Sequence, residues 1–198
     1  MIVIDTETTG LEPAIHALIS VGAIDFENPD NQFYEECGAW KGAHIDKKAL
    51  EINGFLEKDI VGEGKQPIES LVLKFSAWAS GIKEQTFAGE NPSMDRDFMR
   101  ASFQRAGANW FFAYRTFDLH SICYAHMIRA GLVPPTERNH TGLNLDAILE
   151  YVGLPKRAGV HNAMEDAKLE AEAFSRLLYG KNLLAEYGEN PMPDKIKN

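Results

Sequence analysis

Residues 2–10 read Ile2-Val3-Ile4-Asp5-Thr6-Glu7-Thr8-Thr9-Gly10. A run of β-branched apolar residues that stops at a glycine turn describes a buried strand with an abrupt end. Side chains two positions apart on a strand share a side, so Asp5 and Glu7 bring two carboxylates together where that strand finishes. Two adjacent anions repel each other unless something cationic lies between them. By itself the tripeptide Asp5-Thr6-Glu7 reads as a strand-terminal turn with solvated acids. Set between Ile2-Val3-Ile4 and Thr8-Thr9-Gly10, a turn that brings backbone N–H groups close to a ligand, it is a stronger signal.

Outward from this strand, residues 18–26 form a second β candidate. The turn Asn28-Pro29-Asp30-Asn31 leads into a third, over 33–37, which together suggest an antiparallel meander. Helical spacing covers 45–54 and 67–80, the latter with Ile68, Leu71, Val72, Phe75 and Ala79 on one face. A short strand over 85–89 precedes Glu90-Asn91-Pro92, where Asn91 reads as an N-cap and Pro92 as the first position of a helix to about 106. The aromatic stretch 110–117 is β-prone, a helix runs from Asp118-Leu119 to 130, and 131–142 reads as a loop. Helices follow over 143–151 and 162–178, the last placing Ala163, Ala167, Ala171, Phe174 and Leu178 on one stripe. From Gly188 the chain is polar. Antiparallel strands followed by strand and helix in alternation predict one α/β domain over 1–180, with a mixed sheet covered on both faces, and an extension over 181–198.

The chain has 198 residues, 44% apolar and 25% charged, enough for one well-packed core without staples. Its longest apolar run is five residues, Trp110 to Tyr114, against the roughly 20 a membrane helix needs. No basic leader precedes Asp5, so the expected location is cytoplasmic. Cys37 and Cys123 then read as reduced core thiols. Net charge is −9, from 29 acidic and 20 basic residues. A passive nucleic-acid binder is basic, because its affinity comes from Lys and Arg displacing counterions. An acidic chain can still act on phosphates if divalent cations stand between its carboxylates and the substrate.

Two further acids and a histidine bear on that question. Asp95 lies in the first turn of the 91–106 helix, where an acid is favourable near the positive helix end. Asp97 flanks the same Met94/Phe98/Ala101 stripe on its other edge, and periodicity does not choose between them. His161 lies in a loop bounded by Gly159 and Val160, and Asp166 on the following helix sits about 60° from the Ala163 position, at the rim of the buried stripe. A lone histidine before a helix is most often structural. The five-residue spacing to a rim acid adds modestly to a functional reading. His16, His44, His120, His126 and His140 have no such partner pattern, and Lys156-Arg157, just before His161, has two readings, a contact to phosphates and, favoured of the two, a charged turn in solvent.

Taken in order, Asp5-Thr6-Glu7-Thr8-Thr9-Gly10, Asn91-Pro92-Ser93-Met94-Asp95-Arg96-Asp97-Phe98 and His161-x4-Asp166 resemble the three motifs of the DEDDh 3′–5′ exonucleases. That family includes the proofreading subunit of bacterial replicative polymerase, ribonuclease T and oligoribonuclease. The likeness spans about residues 1–180. It implies an RNase H-like α/β fold with a mixed five-stranded sheet, helices on both faces, and a two-metal phosphodiesterase. The resemblance makes Asp5, Glu7, Asp95 and Asp166 ligands of two Mg²⁺ or Mn²⁺ ions and His161 the general base, acting from a mobile loop. Thr8, Thr9 and Leu11 would hold the 3′-terminal nucleotide, with Leu11 against its base. The family pattern His-Asn-x-x-Phe-Asp-x-x-Phe-Leu lays onto residues 90–99 and selects Asp95 over Asp97. It departs at Glu90, Met94 and Met99. Hard oxygen ligands favour Mg²⁺ or Mn²⁺ over Zn²⁺.

The implied activity is removal of nucleoside 5′-monophosphates from a single-stranded 3′ end of DNA or RNA, with no membrane involved. A homodimer or a polymerase partner is left open. The rivals are a catalytically weak binding or interaction module on the same fold and a phosphatase of small phosphate esters.

Overall fold

A computed structural model of the chain describes residues 1–62 and 64–196. Among these described residues, seven strands and seven α-helices follow in the order β1 (Ile2–Thr8), β2 (Leu18–Asp25), β3 (Gln32–Glu36), α1 (Lys47–Asn53), α2 (Glu57–Ile60), α3 (Ile68–Ala79), β4 (Phe87–Gly89) and α4 (Ser93–Arg105). Then come β5 (Phe117–Asp118), α5 (Leu119–Arg129), β6 (Thr136–Glu137), β7 (His140–Thr141), α6 (Leu145–Val152) and α7 (Ala163–Tyr179).

The main sheet has five strands in the order β3-β2-β1-β4-β5. The first three form the expected antiparallel meander, and β4 and β5 add in parallel to β1 and to each other. β1 is therefore central. Its apolar run is needed because both faces are covered, and alternation sends its side chains to different layers. Ile2 and Ile4 join an aromatic-rich layer with α3 and α4, built on Phe33, Phe75, Phe87, Phe98, Phe103 and Phe112. Val3 joins the opposite layer with α5, α6 and α7.

One glycine sets the approach of α7. Gly22 on β2 is the cross-strand partner of Asp5, and a Cβ there would stand 2.2 Å from the Ala163 carbonyl oxygen. Only a residue without a side chain lets the first turn of α7 rest on the sheet beside the acidic end of β1. The Asn162 side chain caps that turn, accepting from the Met164 and Glu165 amides at 3.0 and 3.2 Å.

Several local expectations are corrected. Asn91 is not a cap: it adopts a φ of +55°, and α4 starts at Ser93 after Pro92. The aromatic stretch contributes only Phe117–Asp118 to the sheet. Trp110 and Phe112 instead pack against Phe103, with ring centroids 5.3 and 5.6 Å away, and this closes the α4 layer. The segment 131–142 contains the β6–β7 hairpin, whose two turn residues, Arg138 and Asn139, both take positive φ as a type I′ turn requires.

The polar C-terminal segment is docked. Leu184, Tyr187 and Ile196 enter the α5–α7 layer. The buried Arg176–Glu172 pair, 2.9 Å apart, ties this segment down: Arg176 donates to the Tyr187 and Asn190 carbonyls, and Glu172 accepts from the Leu183 and Leu184 amides. Cys37 and Cys123 are buried and free. Among the described residues, no helix is long and apolar enough to cross a membrane.

Candidate active site

The carboxyl ends of β1 and β4 open into a cleft of about 380 Å³ whose walls include Asp5, Glu7, Asp95, His161 and Asp166. Each comes from a different local cause. Asp5 and Glu7 follow Val3 by alternation and so face the α7 side. Thr6, on the other side of β1, donates to Asp95 Oδ1 at 2.7 Å and joins the strand to the first turn of α4. Asp166, one turn into α7, arrives through the close contact at Gly22.

His161 precedes the Asn162 cap, and its amide donates to the Ile52 carbonyl of α1 at 3.0 Å. The ligand atoms of Glu7, His161 and Asp166 lie within 4.8 Å of one another, close enough to share one ion.

The electrostatics are those of crowded anions. Burial pushes the Glu7 carboxyl up to about 8, helped by Asp166 and Asp95 and opposed by Arg157. Asp95 rises to about 7 through burial, against the hydrogen bond from Thr6. Asp5 lies well above the ordinary carboxylate range through burial and the charges of Asp95, Glu170, Glu7 and Asp166. Asp166 is raised by burial and partly relieved by Arg157. His161 is lowered, by burial and by the Arg157 guanidinium, which favours neutral imidazole. Oxygen donors in excess, one imidazole and carboxyls strained by mutual repulsion are a donor set suited to hard divalent cations.

The remaining sequence candidates fall as follows. Thr8 lines the cleft with its hydroxyl donating to the Gly10 carbonyl at 2.6 Å, and Leu11 stands at the rim, 76% exposed. Thr9 does not reach the cleft. It is fully buried, its hydroxyl donating to the His44 carbonyl and accepting from the Ala17 amide, because it holds the turn against the 39–46 segment. Asp97 points away to solvent and pairs with Arg96 at 2.8 Å.

Arg157 is no solvent turn. It bridges Asp146 at 3.0 Å and Asp166 at 3.3 Å and lines the cleft. Two further residues escaped the sequence reading. Asn53, at the end of α1, donates to the Thr8 carbonyl at 3.1 Å. Glu170 is a buried acid whose signal was available, since it stands one helical turn after Asp166.

Known proteins share this arrangement of chain. The exonuclease family model matches residues 2–174. The chain is 25% identical over 181 residues to the PolC-type DNA polymerase III of Thermotoga petrophila, covering 89% of this chain but only 12% of that protein. It is 25% identical to the 3′-5′ DNA exonuclease Cap18 of Escherichia coli, over 86% of this chain and 87% of that one. Ribonuclease T of Yersinia enterocolitica is 27% identical, over 88% and 84% respectively. Among solved structures, E. coli exonuclease I with a dT13 oligonucleotide superposes with a TM-score of 0.70 at 17% identity, over 86% of this chain and 39% of that one. This likeness is one of fold and identifies the sheet as RNase H-like. With the fold agreeing and a family match that runs from β1 into α7, the chain belongs to the DEDD-type 3′–5′ exonucleases.

Proposed function

We propose that this chain is a metal-dependent 3′–5′ exonuclease that hydrolyses the terminal phosphodiester of single-stranded DNA or RNA and releases nucleoside 5′-monophosphates. The observation that carries this reading is the convergence of four carboxylates, Asp5, Glu7, Asp95 and Asp166, with His161 in one cleft. In this reading the four acids hold two Mg²⁺ or Mn²⁺ ions. Such ions supply charge neutralisation at the phosphate and Lewis acidity toward the attacking water.

The chain's own residues do the rest. His161, kept neutral by its lowered pKa, takes the proton of the attacking water. In this reading the exposed Leu11 side chain packs against the terminal base and the Thr8–Gly10 turn contacts the sugar. Arg157 is a cation already in the cleft and is placed to meet a phosphate oxygen.

The test is incubation of 5′-labelled DNA and RNA oligonucleotides of matched sequence with Mg²⁺, Mn²⁺ or EDTA. The reading expects stepwise shortening of at least one substrate with either metal and none in EDTA. Full-length label in every lane would refute it. The relatives named above include both a DNA exonuclease and a ribonuclease, so both substrates belong in the experiment.

A further inference from the structure

Glu170 is 2% exposed, inside the protein, on the face of α7 one turn beyond Asp166. Its two carboxylate oxygens have different surroundings. Oε1 accepts from the Glu90 amide at 3.1 Å, at the turn that joins β4 to α4 and so carries Asp95. Oε2 is buried with no hydrogen-bond partner, one of three such side-chain atoms among the described residues. Its position is known from Gly89, where an added Cβ would lie 3.0 Å from Oε2 and 2.9 Å from the Ile4 carbonyl oxygen. Ile4 immediately precedes Asp5, and Gly89 immediately precedes Glu90. The unpartnered oxygen therefore enters between the ends of β1 and β4, from behind the acids of the cleft, through a space left by a missing side chain.

A buried carboxylate aimed at other carboxylates costs folding free energy unless a cation compensates it. We propose, resting on the metal-dependent reading above, that Glu170 is a fifth acidic residue of the divalent-cation centre. It is a positioning residue that fixes the Glu90 turn with one oxygen and adds its charge behind Asp5 and Asp95 with the other. Groups just outside the direct ligands commonly change metal affinity by about 10–100-fold when replaced.

The test titrates Mn²⁺ alone into the purified chain, with free Mn²⁺ followed by electron paramagnetic resonance and thermal melts run in EDTA. Glu170→Gln can still accept from the Glu90 amide but lacks the charge. It should melt no lower than wild type in EDTA and bind Mn²⁺ about tenfold more weakly. Glu170→Asp, which keeps the charge, should retain more affinity than Glu170→Gln. Glu170→Ala, measured alongside, should match the loss and carries the test if the Gln variant does not fold. Unchanged Mn²⁺ affinity in a folded charge-removing variant, or equal loss in Asp and Gln, would overturn the proposal and leave Glu170 as a structural acceptor. Absence of Mn²⁺ binding by wild type would overturn the underlying metal reading as well. These two failures are distinct, and neither readout depends on nuclease activity.

Discussion

The Thr6 hydroxyl donates to Asp95 Oδ1 at 2.7 Å across 89 positions of sequence. It joins the central strand to the helix that carries Asp95 into the cleft, and it holds the Asp95 carboxyl below where burial alone would put it. Thr6→Val keeps the shape and removes the donor. Loss of this buried bond should cost about 1 kcal/mol in urea unfolding. It should also raise the Asp95 pKa further, so that the acid limb of the rate–pH profile moves to higher pH. An unchanged profile would show that the bond does not tune Asp95.

Without metal, the acid cluster makes stability depend on pH in a definite direction. Glu7 and Asp95 have folded-state values of about 8 and about 7, raised from ordinary values of 4.5 and 3.8. A folded state that holds protons more tightly than the unfolded chain loses stability as pH rises. In EDTA the contribution of these groups is fully present below about pH 4 and is lost progressively up to about pH 8. The melting temperature should therefore fall between pH 5 and 8, and the rise produced by Mn²⁺ should grow over the same interval. Melts at five pH values with and without Mn²⁺ check this. A metal increment independent of pH would contradict it.

Asp95 and Asp97 separate cleanly by position. Asp95 is 6% exposed in the cleft, whereas the Asp97 side chain is half exposed and pairs with Arg96. Asp97→Asn should change stability by no more than about 0.5 kcal/mol and leave most of the nuclease rate. Asp95→Asn should fold and lose at least about a hundredfold in rate, of the order expected when a charge-stabilising group is removed. Equal losses at both positions would displace the motif assignment.

Gly22 tests the route by which α7 delivers His161 and Asp166. With the Ala163 carbonyl oxygen only 2.2 Å from where a Cβ would stand, Gly22→Ala must push the first turn of α7 off the sheet. A loss of at least about 2 kcal/mol is expected, with weaker Mn²⁺ binding in whatever remains folded. Circular dichroism melts and the Mn²⁺ titration measure the two effects separately. Wild-type behaviour in both would mean the contact is slack.

Much of the fold was legible because periodicity reports burial directly. Ile2-Val3-Ile4 announces a strand covered on both faces, and the stripe of α3 matches its buried residues. Asn91 and Trp110–Phe112 were misread for one reason: local propensity describes what a residue favours alone, while the positive φ of Asn91 and the inward packing of Trp110 are set by contacts distant in sequence. The acids of the cleft were legible through motif order. The helical spacing of Glu170 from Asp166 was legible, but its unpartnered oxygen was not, nor were the two acids that the Arg157 guanidinium reaches, since these depend on contacts distant in sequence. Thr9 shows the reverse error, a motif residue whose hydroxyl is spent on the turn.

The most direct test uses a single-stranded oligonucleotide labelled in its 3′-terminal nucleotide, with the first released product identified. In Mg²⁺ or Mn²⁺ the label should leave first as a nucleoside 5′-monophosphate, with Asp166→Asn releasing almost none and EDTA abolishing release. First release of inorganic phosphate or of longer fragments, or release that persists in EDTA or in Asp166→Asn, would contradict a metal-dependent exonuclease centred on this cleft.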